Sequence, residues 1–170
     1  MTSPFVVYFA ILIGFTVLLL TAAAIDIKHF VIPNRLSLAI ALLYPAHFLT
    51  SPTPIELLPA LGIAAGMLAF GFALFAGRLL GGGDAKLMSA TALWAGSEHF
   101  LPFFLMTTLS GGALALTMWV KKRSSLASAT GPDFVPEADT ANAPGAQPMP
   151  YGVAIAIGGV HVALSKLLGA

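Results

Sequence analysis

Two aspartates carry the chemistry that this sequence could perform. Asp84 closes the stretch Leu80-Gly81-Gly82-Gly83-Asp84-Ala85-Lys86, a glycine run set between apolar segments. Asp26 ends the first apolar segment and stands six residues ahead of Ile32-Pro33-Asn34. The chain has only seven acidic residues, and a carboxylate in a membrane costs about 2.5–3.5 kcal/mol at a helix centre on insertion scales. Two carboxylates that share one proton can hydrolyse a peptide bond without a metal or a covalent nucleophile. One acts as general base on a water while the other protonates the scissile carbonyl, and close carboxylates titrate as a unit. The glycines ahead of Asp84 are expected to give the backbone unusual conformations and to let an extended substrate lie close. Lys86 is placed either to favour negative charge at Asp84 or to anchor to anionic lipid headgroups. Taken singly, Asp26 reads as an acidic residue flanking a helix end, and Asp84 reads equally well as a helix cap. Together with the glycine run and Ile32-Pro33-Asn34, they read as a dyad.

The elements that must bring the two aspartates together are membrane helices. The chain of 170 residues is 58% hydrophobic and 9% charged, where a soluble domain carries about 25% charged residues. So few charges cannot cover a soluble surface. The chain has no cysteine, which excludes disulfides, thiol catalysis and cysteine-based metal centres. Residues 4–25 end in Thr21-Ala22-Ala23-Ala24, a superficial signal-peptidase site, but no Lys or Arg precedes Lys28. The apolar run also exceeds the usual signal core of about 7–15 residues, so it reads as a retained transmembrane helix.

Six spans are expected over the whole chain, read as a single all-α transmembrane domain covering 1–170. The first runs from about Pro4 to Ile25, with a polar break at Asp26–Phe30. Pro33 suits a loop or first helical turn, and Asn34 suits a cap for the second span, Arg35 to Leu49, which Pro45 is placed to kink. The third runs from Ile55 to Phe75. Its Gly62 and Gly66 form either a close-packing Gly-x-x-x-Gly surface or the ordinary glycine content of membrane helices. A short fourth segment runs from Asp84 to Ala95, and Gly96-Ser97-Glu98-His99 makes a turn. The fifth span runs from Leu101 to Val120, with Gly111-Gly112 as a flexible point. Lys121-Lys122-Arg123 is expected to stop it and to open a flexible loop over about 121–149. The sixth span runs from Pro150 to Leu168.

With six spans, the loops after spans 1, 3 and 5 share one side. They hold Lys28, Arg35, Arg78, Lys86, Lys121, Lys122 and Arg123, while Lys166 alone lies at the other face. The positive-inside rule makes that side cytoplasmic and both termini external. Asp26 and Asp84 then fall at the same cytoplasmic face.

Gly81-Gly82-Gly83-Asp84 fits the Gly-x-Gly-Asp signature of intramembrane aspartic proteases. With Asp26 ahead of Ile32-Pro33-Asn34, the Asp84-x-Lys86 continuation and Pro150-Tyr151-Gly152 before the last span, the chain resembles type IV prepilin peptidases over nearly its whole length. The likeness is to the short forms that process Flp-type pilins of tight-adherence systems. It implies that Asp26 and Asp84 are the catalytic pair, with Pro33, Asn34, Gly81, Gly83, Lys86 and Tyr151 as motif or substrate-side support. It implies cleavage of a basic leader from prepilins and pseudopilins at the cytoplasmic face of the bacterial inner membrane. No metal, organic cofactor or nucleic-acid partner is implied. Longer members carry an N-terminal region with paired Cys-x-x-Cys motifs and also methylate the new N-terminus. This sequence begins at span 1 without cysteine, so peptidase activity without methylation is expected.

The remaining polar residues read more simply. His29 is an interfacial loop histidine near Asp26, and His47, His99 and His161 belong to outer turns or span interiors. Phe100, Phe103, Phe104, Trp94 and Trp119 read as lipid-facing or interfacial aromatics. Tyr151 either closes over the site or packs. Glu56 and Glu98 read as solvated, as do Asp133, Glu137 and Asp139 in the loop. Competing functions are a small proton-coupled transporter, a non-catalytic assembly protein of a secretion system, and a related protease for archaeal preflagellins. Transport sites usually lie near the bilayer midplane, whereas both aspartates fall at span ends.

Overall fold

The computed structural model describes residues 4–128 and 149–169. Every regular element among them is helical: α1 (Pro4–His29), α2 (Asn34–Thr50), α3 (Leu57–Ala76), α4 (Gly82–Ser128) and α5 (Tyr151–Leu168). Apolar runs dictate this, because backbone N–H and C=O groups in hydrocarbon must be satisfied within the segment. Four helices are long and apolar enough to cross a bilayer: α1, α3, α4 and α5. The 17 residues of α2 span about 25 Å.

The helix α4 is two arms joined at Gly96, whose φ of 59° and ψ of −164° lie in a region that only glycine enters without strain. The chain turns back there. Gly96, Ser97 and Glu98 share a wall with Thr53–Glu56 and Lys166 at one end of the bundle. Gly83 meets Ile32, and Gly111 meets Tyr151, at the other end. The expected turn over Gly96–His99 is therefore a single residue, and six helical segments run alternately between the two ends.

Small residues let the segments approach. A Cβ on Gly71 would stand 2.8 Å from Ala85 Cβ, joining α3 to the first arm of α4. A Cβ on Gly158 would overlap Thr107 and Phe103 of the second arm, and one on Gly159 would overlap Leu19 of α1 and Thr91. Gly62 and Gly66 meet nothing within 4 Å among the described residues, so the Gly-x-x-x-Gly pair is not a packing surface between the described helices. Ser89 reinforces the contact between α3 and α4 by donating to Ala64 O at 2.7 Å.

The end distant from the aspartates is filled by rings. Trp94 stacks on Phe15 at 4.1 Å and on His47 at 4.8 Å, and His47 stacks on Tyr8 at 5.5 Å. Trp94 and Phe103 are therefore core residues and not lipid-facing. The indole N–H of Trp94 donates to Ile40 O at 3.0 Å, which satisfies the polar atom that would otherwise oppose burial. Trp119 is exposed as expected. Lys121–Arg123 do not stop the helix: α4 continues to Ser128. Lysine and arginine are good helix formers, no glycine or proline intervenes, and Arg123 lies 4.7 Å over the Trp119 ring. Residues 129–148 of the expected loop lie outside the described residues. Helix α2 runs on through Pro45, and α4 runs on through Gly111 and Gly112.

These contacts predict unequal tolerance of side chains. Gly159→Leu overpacks the bundle and is expected to lower stability by about 1–3 kcal/mol, whereas Gly62→Leu changes it by less than about 0.5 kcal/mol. Gly96→Ala strains the reversal by roughly 1–3 kcal/mol. Thermal unfolding of the purified variants in one detergent ranks all three, and an equal effect at Gly62 and Gly159 would contradict the packing described.

Candidate active site

Asp26 lies inside the last turn of α1, one turn before the helix ends at His29. Its residue is 2% exposed. Carboxylate Oδ2 accepts the backbone N–H of Gly152 at 2.7 Å, from a residue 126 positions away. Gly152 is the second residue of α5, so this N–H is one of the donors that a helix start leaves without an intrahelical acceptor. Any side chain there would collide: a Cβ would stand 2.9 Å from Asp26 Oδ2 and 2.9 Å from Ile32 Cδ1.

Asp84 is the third residue of α4 and is 9% exposed. Its Oδ2 accepts the N–H of Gly81 at 3.2 Å, while Gly81 O accepts the N–H of Ala85 at 3.1 Å. This is the carboxylate half of a capping box, in which a side chain in the first turn reaches back to the residue before the helix. Asp84 therefore does cap its helix, but with one oxygen only. The other, Oδ1, is buried and has no hydrogen-bond partner among the described residues. Asp26 and Asp84 also interact electrostatically. Two carboxylates from distant segments thus meet at one end of the bundle, each held by a backbone amide at a helix start.

The glycine run has a steric reason different from the expected one. None of Gly81, Gly82 and Gly83 has positive φ, so no forbidden backbone conformation is involved. Instead, a Cβ on Gly81 would stand 2.6 Å from Asp84 Oδ2, and one on Gly83 would stand 2.9 Å from Ile32 O. A Cβ on Gly82 would come nearest the Phe75 ring, at 3.4 Å, an ordinary contact. The two outer glycines bring the α1–α2 loop and the Asp84 carboxylate against the start of α4; the middle position has room for a methyl group.

The loop is fastened from the side as well. Lys86 Nζ donates to Asn34 Oδ1 at 2.9 Å, so Lys86 binds Asn34. Asn34 is the first residue of α2 and Pro33 occupies the cap position, with no side-chain cap bond. Asn34 thus joins α2 to α4 rather than capping α2. Ile32 is buried among the residues that bear on the site. His29 ends α1 and is exposed. His47 is buried in the aromatic stack at the far end, outside the site. Among the described residues, no three His, Asp or Glu side chains converge in a way that could hold a metal ion.

Tyr151 is the sequence candidate whose position says most. It opens α5 beside Gly152, it interacts electrostatically with Asp84, and its ring covers Gly111 of α4. Gly111 and Gly152 were not legible as site residues from spacing alone. Gly111 reads with Gly112 as a flexible point in an apolar span, and the sequence signal for Gly152 is its place in Pro150-Tyr151-Gly152.

A family model for the type IV leader peptidase family matches residues 5–116. The matched stretch includes Asp26, Ile32-Pro33-Asn34, Gly81–Lys86 and Gly111. No curated protein and no solved structure matches the chain. A match over more than half of the chain, containing both buried aspartates and the loops that close on them, places this protein in the type IV leader peptidase family.

Proposed function

We propose that this protein is an aspartic endopeptidase of the bacterial inner membrane that removes the leader of Flp-like type IV prepilins and pseudopilins, with Asp26 and Asp84 as its catalytic dyad. Family membership gives a peptidase of the type IV leader kind. The reading of the dyad is carried by one observation: two buried carboxylates from α1 and α4 interact at one end of an otherwise apolar bundle. Each carboxylate also accepts a backbone amide at a helix start, but a cap does not need a second buried carboxylate beside it, and Asp84 Oδ1 takes no part in the cap.

In the proposed reaction, a water lies between the two carboxyl groups, which hold one proton between them. The ionised carboxylate takes a proton from the water as its oxygen attacks the scissile carbonyl carbon. The protonated partner gives its proton to the carbonyl oxygen. The tetrahedral diol then collapses, the C–N bond breaks, and the departing amine takes up a proton from the dyad. The backbone amides of Gly81 and Gly152 each hold one carboxylate oxygen, and Asp84 Oδ1 has no hydrogen-bond partner among the described residues.

Orientation follows the charges. Lys28, Arg35, Arg78 and Lys86 flank the helix ends that carry the aspartates. With six segments all crossing the bilayer, the positive-inside rule sets that end in the cytoplasm and both termini outside. The chain then works as one transmembrane peptidase domain. A proton-coupled transporter is the less favoured reading, since such sites lie near the midplane and this pair sits at helix ends.

Cleavage of a prepilin panel in a peptidase-deficient bacterium, followed by gel shift and intact mass, tests the proposal. Asp26→Asn and Asp84→Asn are each expected to lower cleavage by roughly 10²–10⁴-fold while the protein stays folded and inserted. Retained cutting by either variant refutes the dyad, and no cutting by the unmodified protein refutes the substrate class. The same assay reads the glycine run: Gly81→Ala and Gly83→Ala are expected to lose activity, and Gly82→Ala to keep it.

A further inference from the structure

Tyr151 has a polar atom that the fold does not use. Its side chain is half-buried, yet its hydroxyl makes no hydrogen bond to any described residue and is not among the fully buried orphan atoms. A buried tyrosine ordinarily places its O–H on a partner. Tyr151 stands beside the site: the next residue, Gly152, donates to Asp26, and the Tyr151 side chain interacts electrostatically with Asp84.

The ring is held in this place by a notch. A Cβ on Gly111 would stand 2.7 Å from Tyr151 Cε2, 2.8 Å from Cζ and 2.8 Å from the hydroxyl oxygen. Each distance is too short for real atoms, so Tyr151 occupies the space that any other residue at 111 would fill. Gly112, the next residue, faces nothing within 4 Å among the described residues. Close approach is therefore particular to Gly111 and not a general feature of the pair. Around the notch the second arm of α4 is fixed to α5, with Thr107 and Phe103 against Gly158. The notch thus stands beside a close contact between two helices.

We infer that Gly111 seats Tyr151 so that its hydroxyl is a third polar group of the active site, donating a hydrogen bond to the scissile carbonyl oxygen as negative charge develops there. The inference rests on the peptidase reading and adds a residue to it. Tyr151 would touch substrate and so act as a catalytic residue; Gly111 acts through it as a positioning residue. The phenol keeps its proton throughout: it donates a hydrogen bond, and the carbonyl oxygen still receives its proton from the dyad. The carbonyl would lie between the hydroxyl and the two carboxylates.

Steady-state cleavage of a prepilin accepted by the unmodified protein tests this, with thermal unfolding measured on each variant. Tyr151→Phe removes one unbonded oxygen and is expected to leave unfolding unchanged and KM little changed, while kcat falls roughly 10²-fold, as for loss of one donor to a developing oxyanion. Gly111→Ala displaces the ring and is expected to lower kcat similarly. The double variant is expected to fall no further than Tyr151→Phe alone, because both changes remove the same hydrogen bond. Full kcat in Tyr151→Phe overturns the inference, as does a loss explained by unfolding or by KM alone. Multiplicative losses in the double variant overturn the seating by Gly111. Failure of the unmodified protein to cut any prepilin counts against the peptidase reading instead, and is seen before any Tyr151 variant is made.

Discussion

Burying two carboxylates at the end of an apolar helix bundle is the constraint on which the rest of this structure depends. An aspartate at the centre of a membrane helix costs about 2.5–3.5 kcal/mol, and a hydrogen bond to a charged group returns about 1.5–3 kcal/mol. Toward a helix end, where both aspartates lie, the cost is smaller, and one amide per carboxylate offsets much of it. The chain supplies each amide from a helix start, where N–H groups have no intrahelical acceptor: Gly81 for Asp84 and Gly152 for Asp26. Using helix starts as donors fixes which ends of α1, α4 and α5 must coincide. The alternating direction of the six segments follows from that coincidence as much as from short loops.

The glycines of the site serve proximity rather than flexibility. Gly81, Gly83, Gly111 and Gly152 each lack a Cβ where another group already stands: Asp84 Oδ2, Ile32 O, the Tyr151 ring and Asp26 Oδ2. Association of helices in lipid gains little from hydrophobic burial and depends on close contact and hydrogen bonds. The same device builds the body of the bundle at Gly71, Gly158 and Gly159. The far end is organised differently, by the stack of Phe15, Trp94, His47 and Tyr8. That stack joins α1, α2 and α4 through large, stiff rings and holds the end of the bundle where the chain reverses at Gly96.

Much of this was legible in the sequence because it depended on pattern. Apolar runs and polar breaks marked the six segments, and the rarity of acidic residues singled out Asp26 and Asp84. What was not legible depended on which face of a helix meets which neighbour. Trp94 and Trp119 look alike in sequence, yet one is a stacked core residue and the other is exposed. Gly62-x-x-x-Gly66 has the spacing of a packing motif and touches nothing among the described residues, whereas Gly111 and Gly158 have no such motif and are filled by Tyr151 and Thr107. The end of α4 was misjudged because three basic residues signal a membrane boundary, which is not a helix boundary: lysine and arginine continue a helix into water without penalty. Asn34 has a strong capping preference, but Lys86 claims its side chain.

The two aspartates are held by unlike means, and this gives the site a direction. Asp84 is bonded within its own first helical turn, to a residue three positions away. Its carboxylate moves with α4 whatever the other helices do. Asp26 is bonded to a residue 126 positions away, at the start of α5, so its orientation depends on how α5 sits against α1. Gly158 and Gly159 fix α5 to α4 and α1 through close contacts that leave no room for a side chain. The start of α5 also carries Tyr151, which bears on Asp84 and fills the Gly111 notch. One helix start therefore orients Asp26, faces Asp84 and seats a ring on the second arm of α4. A shift of that start by even an ångström would alter the Asp26 hydrogen bond and the relation between the carboxylates while leaving the Asp84 cap intact. The relative placement of the proposed dyad is thus set by α5, the element farthest from both aspartates in the chain, and the packing glycines of α5 belong to the site as much as the Gly-x-Gly-Asp run does.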